Sequence, residues 1–160
     1  MKTDQNKRAV NAILAEYERA LNELQYVIVP ISNKDLAATI DPHTSDPNGK
    51  SIRNILAHVI GSAFSYAIYI RESIDHAIPR PGLRHRDTAL EYIRDLDEVI
   101  VFTRDTFKTI YDYSLEKFDY PDKIKTKWGQ SYDIEQMMEH AIVHVLRHRR
   151  QIEIAKERLC

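Results

Sequence analysis

Residues 133–159 read DIEQMMEHAIVHVLRHRRQIEIAKERL, and the reading of this stretch decides the rest of the chain. Asp133 with Gln136 three residues on makes a capping box, in which each side chain answers a backbone amide that the first helical turn leaves open. Ile134, Met137, Met138, Ala141, Val145, Ile152 and Leu159 follow at helical spacing, the apolar stripe of a long amphipathic helix. His140, His144 and His148 stand at two consecutive i,i+4 steps on it, so neighbouring pairs can reach one ion. At about 100° per residue each step of four drifts by about 40°. The drift leaves His140 outside the apolar stripe, His144 at its edge and His148 well inside. A histidine facing a helical core needs partners for its ring nitrogens, and a divalent metal bound by neutral imidazoles supplies one.

Three further helical patterns lie upstream. Val10, Ile13, Leu14, Tyr17, Leu21, Leu24 and Ile28 mark the first, which stops near Pro30; Ser32 with Asp35 caps a short turn, and residues 41–49 read as a loop. Ser51 opens the second, with Ile52, Ile55, Leu56, Val59, Ile60, Ala63, Ala67 and Ile70 on one broad stripe ending about Asp75. After the break at Pro79-Arg80-Pro81-Gly82 a third follows Asp87, with Leu90, Ile93, Leu96, Ile100, Phe107 and Ile110, to about Tyr113. Residues 114–130 are irregular, with a short extended run over 123–128. Four long helices without repeats predict an all-α four-helix bundle in one domain, residues 1–160.

A third metal ligand has to come from another helix, and His58, flanked by Ile55, Leu56 and Val59, is the histidine that falls inside another core pattern. Alone, a buried His58 would be an ordinary hydrogen-bonded core residue, and histidines on a charged C-terminal helix are often solvated. Two at metal spacing and one opposite favour a mononuclear site on His58, His144 and His148. His43, His76 and His85 sit in or beside proline-bearing loops and read as surface residues. Other metal frameworks fail. Ala141 and Val145 follow His140 and His144, so the zincin H-E-x-x-H is missing, and no glutamate has a histidine three residues later, as a di-iron bundle requires. A single cysteine, Cys160, excludes a disulfide and a zinc finger, and reads as a frayed end rather than a nucleophile.

The charge balance, 23 Lys and Arg against 24 Asp and Glu, gives no broad basic field, so neither nucleic acid nor an anionic membrane is an expected partner. Arg147, Arg149 and Arg150 with Lys123, Lys125 and Lys127 read as a solvated face near a helix C-terminus. The absence of an apolar leader in Met1 to Asn6, of a spanning apolar run and of paired cysteines predicts a cytoplasmic protein.

Two segments together resemble a known family. Ser51-Ile52-Arg53-Asn54-Ile55-Leu56-Ala57-His58 is similar to the segment of DinB-like (DinB/YfiT) proteins that carries the first metal histidine. Trp128-Gly129, followed by His140, His144 and His148-Arg149-Arg150-Gln151-Ile152, resembles the same family's last helix, and the match runs in order along nearly the whole chain. The resemblance implies an up-down-down-up four-helix bundle, a divalent ion on His58, His144 and His148, usually nickel or zinc with iron and manganese left open, and a homodimer. Arg150 departs from the family's usual glycine; two residues past the last ligand, it should point away from the metal and alter packing only.

Three histidines leave a coordination position free, the arrangement of catalytic rather than closed structural sites. Relatives in the resembled family include transferases that use low-molecular-weight thiols, so a small thiol or electrophile is the expected partner. A hydrolase using metal-activated water, and a non-catalytic metal- or partner-binding bundle, are the alternatives. Ser62, Tyr66 and Tyr69, on the flank of His58, line the pocket or merely pack helices; His140 and Gln151 orient ligands from behind or lie exposed.

Overall fold

The computed structural model describes residues 5–159. Met1 to Asp4 and Cys160 lie outside the described residues, and with them most of the leader expectation and that for the terminal cysteine. The architecture is all-α: α1 (Arg8–Ile28), the short α2 (Asn33–Ala37), α3 (Ile52–Ser73), α4 (Ala89–Thr106) and α5 (Ile134–Leu159). A small antiparallel pair, β1 (Ile124–Lys125) with β2 (Ser131–Tyr132), precedes α5. Gly129 closes this hairpin at φ 86°, a left-handed conformation that costs glycine nothing.

The helices begin where their caps dictate. The Asn54 amide donates to Ser51 Oγ at 3.1 Å, and the Asp35 amide to Ser32 Oγ at 3.1 Å. Asp133 and Gln136 exchange bonds of 2.8 and 3.1 Å at the start of α5, the capping box expected there. Thr88 and Glu91 make the same device on α4. Among the described residues no helix is long and apolar enough to cross a membrane.

The helix at the centre is α3, which packs against both α5 and α4, while α1 covers the other side of those two. Its apolar residues are consequently buried around most of its circumference, Ile55, Leu56, Val59, Ile60, Ala63 and Ile70 among them, and one continuous apolar core joins all four long helices. Along the α3–α4 contact, Tyr92 Oη donates to Arg53 O at 3.0 Å, Phe64 meets Phe102 at 5.3 Å between ring centroids, and Arg71 Nε donates to Thr106 Oγ1 at 2.8 Å. Between α1 and α5, Glu23 pairs with Arg149, and Lys156 Nζ donates to Val27 O at 2.8 Å. Between α1 and α4, Glu18 pairs with Arg104, and Gln25 Nε2 donates to Asp97 Oδ1 at 2.7 Å.

The third pattern needs correcting at Leu90 and in width. Leu90 is 56% exposed, while Leu96 is buried and Ile93 and Ile100 pack half-buried against the core as expected; the buried face also takes in Ala89, Tyr92, Asp95, Val99, Thr103 and Thr106, so the stripe is wider than the aliphatic pattern and turned towards its Tyr92 side. Tyr92 belongs inside because its hydroxyl is fully used, donating to Arg53 O and accepting from the Arg86 amide at 3.0 Å. Asp95 belongs inside because two arginines neutralise it. The helix also stops at Thr106 rather than near Tyr113: Phe107–Thr109 tightens into a 3-10 turn and Ile110 is extended, although Phe107 and Ile110 are buried as expected.

Candidate metal centre

His144 and His148 stand one turn apart on α5, their ring centroids 4.4 Å from each other, and His58 projects from α3 with its centroid 5.0 Å from both. One ligand nitrogen from each of the three lies within 4.8 Å of the others, the one such group of metal-binding side chains among the described residues. His58 Nε2 and His144 Nε2 are 3.0 Å apart. Two imidazole nitrogens at about 2.1 Å from a tetrahedral zinc sit roughly 3.4 Å apart, so the cluster is already at the scale a first-row ion requires. His148 is buried, with 9% exposure, and the other two are half-buried.

The protonation states suit a cation. Burial depresses all three imidazoles: His144 is pushed down to about 3 by burial first, then by His148 and His58; His148 is lowered by burial first, against its hydrogen bond to Gln151, with His58 adding to the fall; and His58 is lowered by burial first, against the nearby Asp46 carboxylate. Neutral imidazoles are what a metal binds. Gln151, next turn along α5, places its Oε1 2.9 Å from His148 Nδ1. An amide oxygen only accepts, so the proton sits on Nδ1 and the lone pair of Nε2 is left bare. His144 Nδ1 is buried without a partner. With His144 Nε2 facing His58 Nε2 and no partner behind, the pair lacks enough hydrogen bonds for either tautomer; a shared cation between the two nitrogens relieves the front of that shortage. The donor set therefore fits a metal ion.

Beside the cluster lies a cavity of about 590 Å³, lined on one side by Ser62, Tyr66 and Tyr69 of α3 and on the other by His140, His144 and Arg147 of α5. His58 and Trp128 also face it. Tyr66 touches the edges of both His140 and His144, at 5.4 and 5.6 Å between centroids, and burial pushes its hydroxyl up to about 12, so it stays protonated. Tyr69 Oη accepts from the Lys127 amide at 3.0 Å, which ties α3 to the hairpin turn. His140 is half-buried rather than exposed. It stacks on Trp128 at 5.7 Å with 22° between planes, and its Nδ1 is 3.3 Å from Tyr132 Oη, which makes it a cavity wall and leaves it out of the three-histidine cluster.

Sequence reasoning missed the cavity's third side. The segment 79–82, read as a chain break, folds back over α3 together with Leu83, which reaches Gly61 so closely that a Cβ there would sit 2.9 Å from Leu83 Cδ2. Arg80 donates to Ser65 O at 3.4 Å and lies 4.0 Å over the Tyr69 ring. Arg150 is exposed, lies 3.9 Å from Glu153, and is neither in the three-histidine cluster nor in the lining of the cavity beside it. Its neighbours in the expected solvated basic face divide. Arg149 pairs with Glu23 and Lys123 bonds Gln136 at 2.9 Å, whereas Lys127 and Arg147 line the cavity. No family model, curated protein or solved structure matches the chain.

Proposed function

We propose that the chain is a DinB-like metalloprotein: an up-down-down-up four-helix bundle that holds one divalent ion, nickel or zinc by the resemblance, on His58, His144 and His148, and transfers a low-molecular-weight thiol to an electrophile. The observation that carries the metal site is the convergence of three imidazole nitrogens from two helices within 4.8 Å. The order of contacts supports the topology. Residues 53, 64 and 71 of α3 meet 92, 102 and 106 of α4 in the same sense, as 23 and 27 of α1 meet 149 and 156 of α5, whereas 58 and 66 of α3 meet 148 and 140–144 of α5 in the opposite sense. Homodimer formation and a cytoplasmic location follow from the same family reading and from the lack of paired cysteines.

When bound, the ion supplies Lewis acidity that holds a thiol as its thiolate near neutral pH. The chain's own residues do the rest. Gln151 fixes the tautomer and ring plane of His148. The aromatic wall of Tyr66 and Trp128 keeps the reacting sulfur away from bulk water and offers an apolar surface to an electrophile. Tyr66, kept protonated by burial, can donate a hydrogen bond to a leaving group that gains charge.

Metal content of the untagged protein, measured by mass spectrometry beside His58→Ala and His144→Ala, tests the site: about one ion per chain in the parent and none in either variant is expected. Thiol-dependent consumption of monochlorobimane, lost in His148→Ala, tests the reaction. Ester turnover that needs no thiol would replace transfer by hydrolysis, and a chain that takes up no ion after reconstitution would leave a non-catalytic bundle.

A further inference from the structure

The cavity beside the histidines carries charge of one sign. Arg80, Lys127 and Arg147 line it, and among the described residues no carboxylate does. Composition does not explain this, since acidic and basic residues are nearly equal in number, 24 and 23. Four other surface cavities each include at least one carboxylate, as Glu23 beside Arg149 and Asp97 beside Arg104 illustrate. The cations differ as well. Arg80 is answered by Glu72 at 3.0 Å, but among the described residues neither Lys127 nor Arg147 has a carboxylate within 4.0 Å. Arg149 and Arg150, next to Arg147 but facing elsewhere, both have one. Two unanswered cations over a cavity with low-dielectric walls focus a positive potential into it. The space, about 590 Å³, is that of a small-molecule site, and the rings of Trp128 and Tyr66, 6.2 Å apart at 83°, give it an apolar wall.

We propose that this cavity takes a small organic anion, a carboxylate or a phosphate ester, whose charged end is held by Arg147 and Lys127 and whose apolar part lies against Trp128 and Tyr66. The inference narrows the substrate class of the proposed site and rests on that cavity being the ligand site. It selects anionic thiols or electrophiles over neutral ones.

Trp128 is the chain's one tryptophan, so its emission reports occupancy of the cavity directly. The full chain, as isolated and again after a chelator has removed metal, is titrated with 3-phenylpropionate, phenyl phosphate and the neutral 3-phenyl-1-propanol. A saturable change is expected with the anions in both forms, about tenfold or more tighter than with the alcohol, as charge-assisted hydrogen bonds imply, and weakening as salt is raised. The tighter anion names the class, carboxylate or phosphate. A Lys127→Ala, Arg147→Ala double variant, altered only at exposed positions, is expected to lose about tenfold in anion affinity with an unchanged circular dichroism spectrum. Equal binding of the alcohol, or full anion affinity in the double variant, would overturn the proposal; so would binding confined to the metal-loaded form, which would put the anion on the ion alone. The metal-free arm keeps this result apart from the metal reading, because a chain that holds no ion would still discriminate the anion.

Discussion

The two seams that α3 makes, with α4 and with α5, both bury polar groups, and the Asp95 cluster of the first differs from the histidine cluster of the second, although Arg53 Nε of α3 and Thr103 Oγ1 of α4 are also buried without a partner among the described residues. At the α4 seam Asp95 is 2% exposed, yet both of its oxygens are taken: Arg86 donates twice, each at 2.8 Å, and Arg84 once at 3.1 Å. Burial pushes this carboxyl up, but the two arginines outweigh burial and hold it below the usual carboxylate range. Arg71 is similarly used up on Thr106 and Asp105. At the α5 seam stand three mutually facing imidazoles, one buried and two half-buried, with lowered pKa values and with His144 Nδ1 left without a partner among the described residues, beside an open cavity. A buried polar cluster that satisfies itself is an element of structure. One that brings three imidazole nitrogens within 4.8 Å of one another could hold a cation.

The sharpest way to break this contrast is to replace an imidazole with an apolar ring. His144→Phe should abolish metal binding, the largest effect expected anywhere in the molecule, yet leave the metal-free protein within about 1 kcal/mol of the parent, since an unsatisfied buried nitrogen is removed with its shape nearly kept. Urea unfolding of both proteins in chelator checks it; a loss of several kcal/mol in the metal-free variant would mean the histidines are structural, like Asp95. The converse substitution, Asp95→Asn, should leave metal content at the parental value and cost about 2–3 kcal/mol, the value of charge-assisted hydrogen bonds discounted for arginines that keep some exposure. Gln151→Leu comes next: the ion should bind about tenfold more weakly or worse, the usual cost of losing a group that orients a ligand, with little change in metal-free stability. Competition against a chelating dye measures it.

How far each seam was legible follows from how local its chemistry is. His144 and His148 share one helix at fixed spacing and His58 sits in a strong apolar pattern, so all three could be found from periodicity, as could the caps at Ser51 and Asp133. The polar part of the buried face of α4 could not. Counting aliphatic residues alone left out Tyr92 and Asp95, whose burial depends on Arg53, Arg84 and Arg86 brought in from outside the helix, while Ile93 and Ile100 pack against the edge of the core and only Leu90 of the expected stripe is exposed. The cavity's roof was hidden for the same reason. Pro79-Arg80-Pro81-Gly82 signals only that a helix cannot continue; that Leu83 then lands on Gly61 is decided by contacts across the chain. Nothing local tells Arg147, facing the cavity, from Arg149, which meets a glutamate on α1.

The smallest predicted effect is a difference in how the two seams respond to acid. His58, His144 and His148 have folded pKa values below the unfolded histidine value of about 6.5. The unfolded chain therefore takes up protons first as pH falls, and their contribution is complete above about 6.5 and declines below it, for His144 down towards about 3. Asp95 also has a depressed pKa, but its contribution is complete above the unfolded carboxylate value of about 3.9 and is lost only below that, as pH falls through its folded value. Between about pH 6.5 and 4 the histidine seam should thus weaken while the Asp95 seam stays whole. Urea midpoints of the metal-free protein across that window are expected to fall with acid, less steeply in His144→Phe and with unchanged slope in Asp95→Asn. A parent protein flat across the window would mean that its imidazoles protonate as readily folded as unfolded, and would remove the desolvated, proton-poor character on which the α5 seam's difference from the α4 seam depends.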